Sequence, residues 1–285
     1  MNAEAKFNSA SELAPWQRAF VEQIRRIVEQ NWRSRRPHIR ILDNGCDTSG
    51  KQLCHLAGLT AGEVVGINNA PGFPSAAVQQ NVPENVSLIS MNGMELKFPD
   101  QSFDFVISAN VMEHVSSPEK YIRECRRVLN NDGLAYFETY PLWTGARGHH
   151  IHTDMVAEHC PAENNYRNDG SVIPDWSHLR KNETEMRAIL NDHVRPETSE
   201  YILHYLYRQD DLNRTGWNSI KSSLQNNFAE VELKTWGAER SNQTLKPQDQ
   251  AEDYGVAGFS AIARKTKQNP LTKLIPGRWI ARLRP

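Results

Sequence analysis

Three histidines lie close together between residues 148 and 152, and they are the residues of this chain best suited to chemistry. Histidine titrates near neutral pH, so it suits a general base that takes a proton from a reacting group. His149, His150 and His152 are therefore candidate catalytic residues, and His114, further up the chain, is a fourth. A histidine in a loop can equally be solvated or structural, so residue type alone does not decide its role.

The same segment also has the pattern of a metal site. Side chains two residues apart point to one side of an extended chain, so His150, His152 and Asp154 would share a face. Imidazole and carboxylate are ligands of zinc and similar ions. Clustering along the chain is weak evidence, so we predict no bound metal and keep this set as an alternative.

Strands and helices alternate along the half of the chain that must position these histidines. Apolar segments of strand composition lie at residues 38–43, 64–67, 86–89, 103–108 and 134–140. The first is followed by a loop of small residues, Asn44–Gly50, and a short helix at 51–56, an arrangement typical of a nucleotide-binding unit. The alternation predicts a parallel sheet with right-handed crossovers.

Two further helices are clear in this half. Apolar residues spaced by three and four predict an amphipathic N-terminal helix at 11–33. The second begins at Ser117, which can act as its N-cap, with Pro118 at the first helical position. Asn131-Asp132-Gly133 is predicted to end it.

The second half of the chain differs in composition. Apolar periodicity weakens at about residues 142–211, which we interpret as an insertion that covers the site. A helix at 212–228 and strands at 231–236 and 256–262 follow. The prediction is an α/β fold: a Rossmann-like, seven-stranded, mostly parallel sheet with helices on both faces. Residues 1–263 would form this domain and 264–285 a basic amphipathic tail.

Two stretches carry a family resemblance. Glu95–Val115, followed by Arg127–Gly133, resembles the class I S-adenosylmethionine-dependent methyltransferases, most closely methyltransferase type 11. The resemblance covers roughly residues 39–141. It implies S-adenosyl-L-methionine as the cofactor.

The resemblance also assigns residues to each part of that cofactor. The strand end and the loop after it would hold the methionine part, through Asp43, Gly45, Cys46, Asp47 and Gly50. Asn68 would meet the ribose, Ser108 would line the methyl-donor pocket, and the adenine would lie against Asn92, Gly93 and Met94. Glu113 and His114 would open a helix near the methyl group.

The cofactor loop departs from the family at two glycine positions. The family's Gly-x-Gly-x-Gly is replaced here, because Asp47 and Ser49 stand at its second and third glycines. Asn68 stands where the family has an acidic residue. An NAD-linked reductase, the obvious rival of this fold class, ranks lower because Asp47 also breaks its Gly-x-Gly-x-x-Gly fingerprint.

Charge separates the chain into two unlike parts. The whole chain has 33 Lys and Arg against 34 Asp and Glu. Seven of the basic residues and no acidic one lie in the tail, which predicts an acidic body that repels nucleic acid. The tail mixes basic and apolar residues, as segments that bind membranes or protein partners do.

The functional prediction is a methyltransferase, with an O-methyltransferase favoured. Its acceptor would be a polar small molecule or a sugar of a surface glycan, and Trp143, Tyr166, Trp176 and His178 could wall the acceptor site. The alternative is a cofactor-binding or scaffold protein without activity, suggested by Asp47, Ser49 and Asn68. No apolar run is long enough for a spanning helix or a signal-peptide core, which favours a cytoplasmic protein, at most peripheral to a membrane.

Overall fold

The computed structural model describes residues 13–32, 38–209, 212–237 and 251–267. One seven-stranded sheet forms its centre, with the strand order β3-β2-β1-β4-β5-β7-β6. The strands are β1 Ile41–Asn44, β2 Val64–Asn68, β3 Val86–Ser90, β4 Phe103–Ala109, β5 Leu129–Thr139, β6 Glu230–Trp236 and β7 Gly258–Arg264. β1 to β5 pair in parallel, and β7 runs antiparallel to both of its neighbours.

Ten helices connect and cover the strands within the described residues. They are α1 Pro15–Trp32, α2 Lys51–Ala57, α3 Ala76–Gln79, α4 Pro118–Val128, α5 Thr153–His159, α6 Ser177–Arg180, α7 Glu183–Asn191, α8 Pro196–Tyr207, α9 Trp217–Asn227 and α10 Ala251–Tyr254. The apolar faces of α1 and α2 pack on one side of the sheet. Those of α4 and α9 pack on the other, so that helices cover both faces.

This architecture confirms the predicted fold class. The alternation of apolar strands with amphipathic helices predicted it, because a parallel sheet must bury both of its faces. α4 begins as expected, with Pro118 in its first turn and the Ser117 hydroxyl accepting a hydrogen bond from the Lys120 N–H at 3.3 Å.

The end of α4 was predicted wrongly. We expected residues 131–133 to separate the helix from the next strand, but β5 begins at Leu129, directly after Val128. The pairing of β4 with β5 is irregular between Phe103 and Phe105, where the extra residues of β5 are accommodated. β5 therefore includes residues 131–133, although their composition favours a turn.

The inserted segment between β5 and α9 is helical and has a small core of its own. α5 to α8 enclose a cluster of buried side chains that includes Ile151, Met186 and Leu203. The apolar periodicity of this segment is weak in part because α5 and α6 are too short to show a repeat. Within the described chain, no helix has the length and apolarity needed to cross a bilayer.

The predicted tail begins too early. Arg264 is the last residue of β7, and its guanidinium donates to Asn31 Oδ1 of α1 at 2.8 Å. Lys265 Nζ donates to the Leu129 carbonyl at 2.7 Å. These two basic residues therefore belong to the fold. Residues 268–285 lie outside the described residues, and the membrane or protein contact predicted for them stays a prediction.

Candidate active site

A cavity of about 280 Å³ opens at the carboxyl ends of β1, β2 and β4, where the strand order reverses direction around β1. In open α/β sheets, ligands bind at this position. The cavity is lined by Asn44, Gly45, Ile67, Asn68, Asn69, Met91, Asn92, Gly93, Met94, Asn110, Val111, His114, Val115 and Tyr121. Five of the predicted cofactor residues are in this set: Gly45, Asn68, Asn92, Gly93 and Met94.

Gly45 is the glycine of the loop that the structure requires most strictly. Its φ is +99°, a region that residues with a side chain rarely adopt, and a Cβ built there would lie 2.3 Å from Val111 Cγ2. Its N–H donates to the Ile67 carbonyl of β2 at 2.9 Å. The chain therefore passes closely between β2 and Val111 on its way out of β1.

The two residues that replace family glycines bind their own helix. Asp47 Oδ1 accepts from the Gln52 N–H at 3.3 Å, and the Ser49 hydroxyl accepts from the Lys51 N–H at 3.4 Å. The Ser49 hydroxyl also bonds Asp47 Oδ2. Neither residue lines the cavity. Their side chains satisfy amides of the first turn of α2, so a ligand has fewer free backbone donors here than in a glycine loop.

This capping role gives a first testable prediction. Asp47→Ala removes the acceptor for the Gln52 N–H and should lower the free energy of unfolding by about 1 kcal/mol, the usual cost of losing such a cap. Asp47→Asn keeps an acceptor oxygen and is the matched control. Chemical denaturation of both variants measures the effect. Equal stability of the alanine variant and the wild type would contradict the capping role.

Asn68 holds the loop as well as facing the cavity. Its Nδ2 donates to the Cys46 carbonyl at 2.7 Å, and its Oδ1 accepts from the Ala70 N–H at 2.7 Å. An amide oxygen has two lone pairs, so Oδ1 can still accept one hydroxyl hydrogen bond. Asn69 lines the cavity beside it and was not predicted.

A buried polar group forms the floor of the cavity. The Tyr121 hydroxyl of α4 lies 2.5 Å from the Asn44 carbonyl and 2.9 Å from the hydroxyl of Ser108. Asn44 Nδ2 donates to the Gly93 carbonyl at 3.3 Å. Asn44 Oδ1 is buried and has no hydrogen-bond partner within the described chain. An unsatisfied buried acceptor at a cavity wall suits a ligand that donates an N–H or O–H.

Asp43 lies behind this floor and is almost fully buried. Burial, together with a smaller contribution from the negative charge of Asp47, raises the pKa of its carboxyl to about 8. Burial also raises the pKa of the Cys46 thiol well above its usual range. Asp43, Cys46, Asp47, Gly50 and Ser108 were also predicted to contact the cofactor, and they are not among the residues that line this cavity.

At one edge of the cavity, three side chains that can bind protons or metals meet. Glu113 and His114 lie in the turn between β4 and α4, and His150 comes from the inserted segment. One ligand atom of each lies within 4.8 Å of the other two. His114 lines the cavity, and its ring centroid is 4.8 Å from that of His150. We call Glu113, His114 and His150 the triad.

The surroundings of the triad favour its neutral forms. Glu113 Oε1 is 4.0 Å from His150 Nε2, and the Glu113 side chain is 2% exposed. Burial raises the pKa of Glu113 to about 8. Burial, with smaller contributions from His114 and His152, lowers the pKa of His150 to about 4. A neutral imidazole offers a lone pair, which both a base and a metal ligand need.

The turn that carries Glu113 is fixed from a distance. The Asn213 N–H donates to the Glu113 carbonyl at 2.8 Å, and Asn213 Nδ2 donates to the Met112 carbonyl at 2.6 Å. We predicted that Glu113 and His114 open a helix, but they precede α4, which starts at Pro118. His150 has a φ of +56°, unusual for histidine and typical of residues whose conformation the surrounding structure imposes.

The other two predicted histidines are placed less favourably for catalysis. His149 is 2% exposed, and its Nδ1 accepts from the Ile151 N–H at 3.1 Å, so it is a residue of the interior. His152 Nδ1 lies 3.1 Å from Asn168 Nδ2, which can donate to it. In that tautomer Nε2 carries the proton and cannot accept another. Of the four predicted histidines, His114 and His150 are the two that belong to the triad.

The predicted aromatic wall of the acceptor site is mostly interior. Tyr166 and Trp176 are each 2% exposed, and the Tyr166 hydroxyl donates to the Ile151 carbonyl at 2.9 Å. His178 is also buried, with Nε2 at 2.7 Å from the Trp143 carbonyl. These residues hold the inserted segment together. Tyr166, Trp176 and His178 are therefore too buried to wall an acceptor site, whereas Trp143 is half-buried.

Sequence reasoning missed the cavity residues that lie outside short motifs. Asn44, Asn110 and Tyr121 each contribute a polar group to the cavity. Asn110 has a φ of +53°, and its N–H donates to the Glu138 carbonyl at 2.9 Å. The position of Asn110 one residue after β4 is the only signal in the sequence that could have indicated it, since strand ends in such sheets line the site.

Comparison with known proteins agrees with this geometry. Residues 42–137 match the family model described as a methyltransferase domain, type 11. An uncharacterized methyltransferase of Mycolicibacterium gilvum is 36% identical over 86 residues, which are 30% of this chain and 33% of that protein. Ajmaline N-methyltransferase of Rauvolfia serpentina is 34% identical over 92 residues, 31% of each chain. The matched stretch thus spans about a third of the length of these relatives.

One solved structure shares the fold over most of this chain. It is the phosphoethanolamine N-methyltransferase 2 of Haemonchus contortus in complex with S-adenosyl-L-methionine, with a TM-score of 0.51 and 14% identity over 86% of this chain and 53% of that one. The sheet and its cavity define a class I S-adenosylmethionine-dependent methyltransferase fold. Within that class, residues 42–137 belong to the methyltransferase type 11 family, which confirms the resemblance.

Proposed function

We propose that this chain transfers a methyl group from S-adenosyl-L-methionine to a hydroxyl group of a polar small molecule. One observation carries the proposal: His114 lines the cavity and is also a member of the triad. A donor site and a group of proton acceptors are thereby adjacent. Glycan acceptors lose support, because Tyr166 and Trp176, which would stack on a sugar, are buried.

The cavity residues fit the parts of the cofactor. Asn68 and Asn69 offer amide oxygens to the ribose hydroxyls, and Asn92 to Met94 offer backbone groups and an apolar side chain to the adenine. The unsatisfied Asn44 Oδ1 is an acceptor for an N–H or O–H of the ligand. When bound, the cofactor supplies a methyl group on a positively charged sulfur.

The protein's part in the reaction is to position the acceptor and manage its proton. Displacement at the methyl carbon is in-line, so holding the acceptor oxygen opposite the sulfur supplies most of the rate. An oxygen acceptor must also lose its proton, while its bond to the methyl carbon forms and the sulfur keeps the electrons of the broken bond. The triad brings proton-accepting groups to the cavity, since His114 forms part of its wall.

Calorimetry with S-adenosyl-L-methionine, followed by a transfer assay with labelled methyl groups and hydroxylated metabolites, tests the proposal. We expect one binding site with micromolar affinity and label that appears on an oxygen. Label on a nitrogen or carbon would contradict O-methylation.

A second candidate function, a scaffold protein without activity, is favoured by the capped cofactor loop, in which Asp47 and Ser49 bind α2. It predicts no heat of binding at millimolar cofactor. Binding together with turnover would exclude it.

A further inference from the structure

We propose that the triad, Glu113, His114 and His150, binds one divalent transition-metal ion at the edge of the cavity. The types of the three ligands favour a transition metal. Two imidazoles and one carboxylate are the set that zinc, cobalt, iron and manganese share in proteins, whereas magnesium and calcium prefer oxygen ligands alone. The binding of the ion stands on this geometry, but its role in methyl transfer rests on the proposed function.

The distances fit a site that closes around an ion. The three ligand atoms lie within 4.8 Å of one another, and Glu113 Oε1 is 4.0 Å from His150 Nε2. Ligands about 2.1 Å from a tetrahedral ion lie roughly 3.4 Å apart. Small side-chain rotations of His114 and His150 therefore complete the site, and three protein ligands leave a coordination position open.

The Glu113 carboxyl group supports a metal site independently of these distances. Its side chain is 2% exposed, and neither carboxyl oxygen has a hydrogen-bond partner among the residues that the structure describes. A buried carboxyl group whose oxygens lack partners is costly, and native structures seldom keep one without a compensating group. Glu113 faces His150, so a cation between them would supply the missing partner to both oxygens.

The backbone around the triad supports the same assignment. Asn213 fixes the turn of Met112 and Glu113 through two hydrogen bonds, and His150 is held with a φ of +56°. Conformational strain of this kind persists where the surrounding structure imposes it, commonly at functional sites. The alternative from the sequence, with His152 and Asp154 as ligands, is replaced, because the group that lies within ligand distance contains only His150 of that set.

The ion would act on the acceptor. With the ion bound, the lone pairs of the triad are occupied, so an acceptor hydroxyl at the open position would lose its proton to water instead of to the triad, since a bound cation stabilises the alkoxide. The alkoxide oxygen then forms its bond to the methyl carbon as the carbon–sulfur bond breaks, and S-adenosylhomocysteine leaves with the electron pair on a neutral sulfur. No oxidant or reductant is needed.

Metal titration of the full, tag-free chain tests the site. After chelation and dialysis, the protein is titrated with Co²⁺ under visible spectroscopy and with Zn²⁺ in competition. We expect one equivalent of Co²⁺ with d–d absorption bands, and a loss of affinity of roughly tenfold or more in Glu113→Gln and His114→Gln. His159→Gln is the matched control, since His159 is an exposed histidine that stacks on Tyr201, and should bind as the wild type does.

Two results would overturn the metal site. One is that no ion binds at millimolar Co²⁺ or Zn²⁺, and the other is that the wild type and both triad variants bind the metal with equal affinity. His114 is exposed, so its variant keeps the test valid if Glu113→Gln fails to fold. Cofactor calorimetry separates the two proposals. Metal binding without cofactor binding supports the metal site and contradicts the proposed function. Cofactor binding without metal binding contradicts the metal site and is compatible with the proposed function.

Discussion

The Gly45→Ala variant is expected to bind S-adenosyl-L-methionine about tenfold to a hundredfold more weakly than the wild type. An alanine here has a φ of +99° and a Cβ only 2.3 Å from Val111 Cγ2 and 2.8 Å from its Cγ1. Overpacking of this kind costs about 1–3 kcal/mol, and each 1.4 kcal/mol is a factor of ten in affinity. Because Val111 lines the cavity, relief of the clash moves its methyl groups toward the ligand.

The chain offers two controls for this prediction. Gly72 also has a positive φ, +75°, but a Cβ there meets no atom within 4 Å. Gly72→Ala therefore introduces the same type of backbone strain without the clash and should leave cofactor affinity unchanged. Adding Val111→Ala to Gly45→Ala makes room for the new methyl group and should restore part of the affinity. Calorimetry on the four proteins decides. Equal losses at Gly45 and Gly72 would show that contact with Val111 is irrelevant.

The Asp43→Asn variant is expected to remove one contribution to the pH dependence of stability. Burial, with help from Asp47, raises the pKa of Asp43 to about 8, from 3.8. Between these values the folded chain keeps a proton that the unfolded chain has lost, so the free energy of unfolding falls as pH rises. The slope from this group is at most about 1.4 kcal/mol per pH unit.

Denaturation of both proteins without cofactor, at intervals from pH 4.5 to 8.5, measures the difference. We expect the stability of Asp43→Asn relative to the wild type to increase through this range and to level off above pH 8. Asp104→Asn is the comparison variant, because Asp104 is a buried aspartate whose carboxylate accepts from the Arg40 N–H at 3.0 Å. Parallel pH curves for the wild type and Asp43→Asn would show that Asp43 ionises normally in the folded protein.

Asp43→Asn also tests the relation between stability and function at this site. The family resemblance implies that Asp43 serves the methionine part of the cofactor, although Asp43 is not among the residues that line the cavity. We expect the variant to bind the cofactor more weakly even where it is more stable. Such opposite effects are common where a binding site keeps an unfavourable buried group.

The local sequence determined the architecture of this protein. Short apolar strands alternating with amphipathic helices predicted the sheet, because a parallel sheet must be covered on both faces. The start of α4 at Ser117-Pro118 and the loop after β1 could also be predicted, because capping and tight turns depend on neighbours in the chain. The family resemblance of this stretch assigned Gly45, Asn68 and residues 92–94 to the cofactor, and all of them line the cavity.

Only the tertiary structure decided which residues meet at the edge of the cavity. Glu113 and His150 are far apart in the chain, and no local pattern predicts that the inserted segment, which carries His150, packs against the turn after β4. The roles of the neighbouring histidines were decided in the same way: His149 and His178 turn inward, while His150 turns to Glu113. Adjacent residues with one chemistry take different roles because burial and partners, not residue type, set their protonation and reach.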